Sequence, residues 1–217
     1  MIKGKILFNI FLLPCVCGVF SCTPAGNKNG TEMIKPATPI IEPENPYVAV
    51  DKSPMDISYY PVNYPMQLMS GNDSSKLMAR VIYSRPQKNG RIIFGEEAPP
   101  KCVQQYGAYW RLGANEATEI EFFTTAVING TKFPKGRYTM YCIPYAGKWT
   151  IVFNRNLFSW GLHTDTSKDF AKVDIPVQKN ERPIEFFTMV FQPTATGAGL
   201  LMTWDIVKAV LPISFDK

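Results

Sequence analysis

Histidine is nearly absent: His163 is the only one in 217 residues. A zinc site of the usual His/Cys kinds would therefore have to recruit Cys102 and Cys142, whose spacing matches no metal motif. Neither a metal nor a cofactor is expected. A Ser-His-Asp hydrolase is disfavoured as well, because no G-x-S-x-G elbow presents a serine. Phosphate-cradling glycine patterns are missing, and "TGAG" near Gly197 is too short to make one. No stretch of helical length keeps apolar residues at a 3.6 spacing, which excludes a helical bundle. The formal charge of +5 is small and scattered, so nucleic acid is not an expected partner. His163 itself reads as a loop residue with solvent access.

The longest apolar run stands at the N-terminus, where Lys3 and Lys5 precede "ILFNIFLLPCVCGVF". That is a positive n-region followed by an apolar h-region. Asn9 and Pro14 interrupt it, and a membrane span needs about 20 good apolar residues. "VFSC" resembles a bacterial lipoprotein box, with cleavage after Ser21 and acylation of Cys22; a plain secretory signal with Cys22 incidental is the alternative. Pro14 and Val16 make Cys15 and Cys17 poorer candidates. Residues 1–21 are thus expected to be a lipoprotein signal peptide and 22–52 a flexible tether rich in Pro, Gly and Asn. Residues 53–217 are left as one folded domain of about 160 residues, ample for its own core. The stretch after Cys22 carries Lys28 and Glu32 and no acidic run. The expected location is the outer membrane, anchored by lipid and facing the periplasm.

From Leu77 onward the sequence alternates. "LMARVIY" places Leu77, Ala79, Val81 and Tyr83 on one face, and "TEIEFF" turns Ile120 and Phe122 inward with Glu119 and Glu121 outward. Asn129-Gly130 between apolar flanks is a strong hairpin signal, since a type I′ turn needs positive φ at both central residues. "GRYTMYCIP", the turn "YAGK" and "WTIVFN" form a second hairpin with Tyr138, Met140 and Cys142 alternating. "KVDIPVQ", "IEFFTMVFQP" and "GLLMTWDIVKAVLPI" follow. The pattern predicts an all-β domain, an antiparallel sandwich or flattened barrel of about nine strands. A short helical turn near Ala114 to Ala117 or Ser167 to Phe170 is compatible with that reading.

The landmarks "YSRPQKNGRIIFG", "WRLGANEATEIEF", "KGRYTMYCIP", "KWTIVFN" and "WG", in this order, resemble the bacterial domain-of-unknown-function family 2911. The resemblance runs from about Ser53 to Ile213. It implies a secreted or lipid-anchored β-rich domain and assigns it no activity. Two segments depart from the family pattern: "EEAPPKCVQQYGAY" is longer than its compact loop, and "LHTDTSKDF" follows Trp160-Gly161 where an aromatic and Asp are usual.

Three arginines stand out: Arg85, Arg91 and Arg111. A guanidinium pairs bidentately with carboxylate or phosphate, so a convergent set makes an anion or sugar-acid pocket. Asn115 and Glu116 lie beside Arg111, and Tyr138, Trp149 or Trp160 can stack on a ring. The candidate ligand site is therefore Arg85, Arg91, Arg111, Asn115, Glu116, Tyr138 and Trp160. The structural alternative pairs Arg111 with Glu116, uses Asn115 to tie the bend, and puts the tryptophans in the core. Two functions stay open. One is a binding or envelope-associated module for a small anionic or carbohydrate ligand or an envelope protein. The other is a hydrolase of envelope glycans or esters using Glu116 with a second carboxylate such as Asp165 or Glu97. An oxidising compartment also permits a bridge between Cys102 and Cys142, although two unpaired buried thiols fit the sequence equally.

Overall fold

The computed structural model describes residues 47–49, 51–71 and 75–216. The expected signal peptide, Cys22 and most of the expected tether lie outside the described residues. All described residues belong to one unit, Asn45–Lys217. The chain runs β1 (Met55–Tyr60), α1 (Tyr64–Met69), β2 (Ala79–Ser84), β3 (Phe94–Gly95), β4 (Gln104–Gln105), β5 (Thr118–Phe122) and β6 (Ala126–Ile128). It continues through β7 (Thr131–Phe133), β8 (Gly136–Pro144), β9 (Lys148–Asn154), a 3₁₀ turn (Thr166–Lys168), β10 (Asp169–Thr194) and β11 (Gly197–Phe215). Nine strands make one antiparallel sheet in the order β1-β2-β5-β8-β9-β10-β11-β6-β7, while β3 and β4 form a small parallel pair. The large sheet does not close. It folds back so that β1 meets the C-terminal half of β10, where the Phe191 N–H donates to Ser58 Oγ at 3.1 Å. This is the sandwich that the alternation predicts.

Period-two patterning decides what each strand buries. Thr118, Ile120 and Phe122 of β5 are buried, while Glu119 and Glu121 point outward to Arg137 at 3.5 Å and Arg80 at 2.7 Å. Asn129 and Gly130 adopt φ of 47° and 75° between β6 and β7, as a type I′ hairpin requires. On β8 and β9 the core face carries Tyr138, Met140 and Cys142 with Trp149, Ile151 and Phe153, all buried. Val152, Thr139 and Tyr141 on the opposite face are buried too, Thr139 and Tyr141 beside residues of the segment 155–168.

Two expected strands, "KVDIPVQ" and "IEFFTMVFQP", prove to be one 26-residue strand, β10. Its first part pairs with β9 through Pro176 and its second with β11 from Val177, with register shifts between Lys179, Ile184 and Thr188. The prolines sit where no ladder donor is required: Pro176 at the change of partner and Pro183 inside the register gap. On β11 the inward set changes from Ala198, Leu200, Met202 and Trp204 to Ala209, Leu211 and Ile213. Asp205, at φ 53° and paired with Lys88 at 2.5 Å, marks the bulge that shifts the phase. The 3₁₀ turn falls close to the expected Ser167 to Phe170, and Ala114 to Ala117 is bent without forming a helix. Helix α1, at six residues, is too short to show a period.

Cys102 and Cys142 are free thiols, so the bridge considered from composition is not formed. Cys142 lies on the core face of β8, where burial pushes its thiol pKa up. Cys102 is held elsewhere, its thiol donating to the Glu97 carbonyl at 2.7 Å.

Candidate functional site

The stretch Trp110 to Phe122 is a tied corner that leads into β5. Trp110 exchanges both backbone hydrogen bonds with Cys142 of β8, at 2.8 and 2.7 Å. The chain then leaves the sheet and returns at Thr118 opposite Met140. Leu112 and Asn115 take positive φ of 55° and 61° along the way. Asparagine tolerates that region; buried leucine does not adopt it readily, so its surroundings must hold it there. Thr118 Oγ1 donates to the Leu112 carbonyl at 2.7 Å and Trp110 Nε1 to the Gly113 carbonyl at 3.3 Å. Asn115 Nδ2 reaches the Asp51 carboxylate at 2.9 and 3.2 Å, which ties the corner to the start of the domain.

Arg111 is the anomaly in this corner. Its Nη1 donates to the Asn115 carbonyl at 3.1 Å, and among the described residues no carboxylate lies within 4.0 Å of its guanidinium. Burial holds its pKa below the ordinary arginine value, and the more distant charge of Glu116 offsets this in part. The expected Arg111–Glu116 ion pair is therefore absent. The stem of Arg111 is wedged by Gly161, at φ 84°, where a Cβ would lie 3.0 Å from Arg111 Cβ and 3.1 Å from both Arg111 Cδ and Ala117 Cα.

Beside Arg111 opens a cleft of about 300 Å³. Trp110 and Trp204, 5% and 1% exposed, form its floor with rings 6.0 Å apart and 19° from parallel. Trp204 is fixed by its Nε1–H on the Glu185 carbonyl at 3.2 Å. Val103, Gln104 and Leu162 line its walls, and the exposed Tyr109 stands at the mouth. Arg91 is the second cation, its Nε and Nη2 donating to the carbonyls of Lys88 and Gln87 at 3.1 and 2.5 Å. No carboxylate pairs with it among the described residues. On the far side of Arg111 and Gly161 lies a polar chamber of about 20 Å³, bordered by Thr139, Tyr141, Asn154 and Asp165. That is space for one water. The Tyr141 hydroxyl donates to the Asp169 carboxylate, both of whose oxygens lie at 2.9 Å, and burial first and Asp169 second raise its pKa.

Of the residues singled out from sequence, the cleft brings together Arg91 and Arg111. Arg85 is directed elsewhere, 3.3 Å from Asp56 and stacked over Phe186. Tyr138 is a core residue packed among Phe122, Phe133, Phe153 and Phe170, with its hydroxyl on the Pro134 carbonyl at 3.0 Å. Asn115 serves the Asp51 tie. Trp160 is 56% exposed beside His163, and it is its neighbours Gly161 and Leu162 that reach the cleft. Glu116 borders a separate depression with Glu119 and Phe158. Neither proposed companion carboxylate joins it there: Glu97 pairs with Lys101, and Asp165 caps Ser167 through its N–H at 3.1 Å and Oγ at 2.6 Å. The residues not anticipated are Gln104, Val103, Tyr109 and Trp204. Of these Trp204 alone carried a signal, as an aromatic on the inward face of a strand.

Among the described residues no group of three His, Cys, Asp or Glu side chains is placed to hold a metal, and no helix is long and apolar enough to cross a membrane. No curated protein and no solved structure matches the chain. A family model described as a protein of unknown function (DUF2911) matches residues 65–213, from the start of α1 almost to the end of β11, and the chain belongs to that family.

Proposed function

We propose that this protein is a binding module of the bacterial cell envelope and that it holds a small anionic ligand in the cleft between Arg91 and Arg111. One observation carries the reading: Arg111 is a partly desolvated cation with no carboxylate partner, at the edge of an aromatic-floored cleft. Taking a guanidinium out of water is costly unless something compensates it. A carboxylate or phosphate arriving in the cleft supplies that compensation, and Arg91 adds a second positive charge at the same opening. The apolar floor then favours a ligand with a ring or flat body attached to the charge. The hydrolase reading has less support: Glu116 shares its depression with Glu119, whose carboxylate lies 3.5 Å from Arg137, and neither the cleft's arginines nor Asp165 or Glu97 border it.

The test is a titration of the protein's tryptophan fluorescence, to which Trp110 and Trp204 contribute, with glucuronate, benzoate or inorganic phosphate. Saturable quenching by an acid, weakened by salt and lost in Arg111→Met, supports the site. An unchanged signal with every anion removes it.

For the N-terminus, the proposal is a lipid anchor at Cys22 that holds the domain on the periplasmic side of the outer membrane. The two-lysine n-region, the apolar core and "FSC" coincide at the distance a lipoprotein signal requires. Mass spectrometry of the mature N-terminus should find an acylated Cys22. A mature chain beginning at any other residue contradicts the anchor.

A further inference from the structure

Gln104 on β4 is 8% exposed and borders the cleft. Its Nε2 donates to two backbone carbonyls, those of Gln105 and Ala108, each at 3.1 Å. An amide oxygen in that place would face two other oxygens, so the orientation of the group is fixed. Its Oε1 accepts no hydrogen bond from any described residue, and it is not among the fully enclosed unpaired atoms. The lining of the cleft thus combines a nearly buried glutamine, whose amide oxygen accepts nothing from the described residues, with two arginines and two indoles. The tether of Nε2 leaves Oε1 no freedom to find a partner elsewhere.

Building on the anion reading above, we propose that Gln104 is the specificity-determining residue of the cleft and that its ligand is a sugar acid, a hydroxylated ring carrying a carboxylate. The carboxylate meets Arg111 and Arg91, the less polar ring face lies on Trp110 and Trp204, and a ring hydroxyl donates to Gln104 Oε1. A flat acid without hydroxyls satisfies the cations and the floor but leaves Oε1 desolvated and unpaired. Sites built to hydrogen-bond a substrate hydroxyl discriminate strongly against analogues that lack it, for this reason. A neutral sugar fails at the other end, leaving Arg111 without its counter-charge. The volume of about 300 Å³ lies at the small end of ligand clefts, which suits one or two rings.

Titration calorimetry of the full chain with glucuronate, cyclohexanecarboxylate, glucose and inorganic phosphate tests this. Glucuronate should bind at least about fivefold more tightly than cyclohexanecarboxylate, the lower end of the cost of leaving a buried acceptor unpaired, and more tightly than glucose. Gln104→Leu should bring the two acids to within about threefold by weakening glucuronate alone. Cyclohexanecarboxylate or phosphate binding as tightly as glucuronate overturns the role of Gln104 and leaves the anion site standing. Glucose binding as tightly as glucuronate overturns the sugar acid. Failure of all three anions removes the anion site and this inference with it. Because the comparison of ligands uses the unaltered protein, it decides the matter even if Gln104→Leu does not fold.

Discussion

Replacing Gly161 with alanine should be more costly than its surface position suggests. The residue sits at φ 84°, and an added Cβ would approach Arg111 Cβ to 3.0 Å, with Arg111 Cδ and Ala117 Cα at 3.1 Å. Two penalties add. A left-handed alanine costs about 1–2 kcal/mol from its own backbone, and overpacking against neighbours that cannot retreat costs about 1–3 kcal/mol more. Gly130 provides the control, because it has a similar φ of 75° and nothing within 4 Å of its would-be Cβ. Gly130→Ala should show the first penalty alone. Urea denaturation of both variants therefore isolates the crowding: Gly161→Ala should be the less stable by about 1–3 kcal/mol. It should also weaken acid binding at the cleft, since the added methyl displaces the stem of Arg111. Equal losses in the two variants would refute the claim that the Trp160-Gly161 turn wedges Arg111 in place.

The thiols make a second prediction. Ellman's reagent should label neither Cys102 nor Cys142 before denaturation, and reductant should leave the melting temperature unchanged; a melt lowered by reductant would reveal a bridge. Third, Tyr138→Phe removes a hydroxyl that donates to the Pro134 carbonyl and interacts with Arg155, so it should cost about 1 kcal/mol in a urea melt and leave ligand binding untouched. Altered binding in that variant would return Tyr138 to the site.

How much of this was legible in advance varies with the range of the interaction. The Asn129-Gly130 hairpin and the alternation of Ile120 with Glu121 are local, and the structure follows them closely. Tyr138 was selected for its aromatic ring, yet its parity with Met140 and Cys142 already placed it on the core face of β8. Parity was the better guide. Pro183 falls between two expected strands because a central strand needs its N–H groups; it is accommodated where the register of β10 slips, and Pro176 where β10 exchanges β9 for β11. The cleft was the least legible feature, since it joins Arg91, Gln104 and Arg111 to Leu162 and Trp204, residues distant from one another in the sequence. No local pattern marks Gln104. Its significance arises only from two carbonyls that capture its amide nitrogen and leave the oxygen without a partner among the described residues.

The central claim is that Arg111 is an uncompensated cation kept for a ligand, and a melt of one variant tests it most directly. Arg111→Met keeps the apolar stem, loses one hydrogen bond to the Asn115 carbonyl and removes a desolvated charge. These effects oppose each other, so its stability should lie within about 1 kcal/mol of the parent. Added glucuronate should raise the melting temperature of the parent and not of the variant. A contradictory result would be a loss of several kcal/mol that Glu116→Gln restores, the behaviour of a broken buried ion pair, together with equal stabilisation of both proteins by the acid.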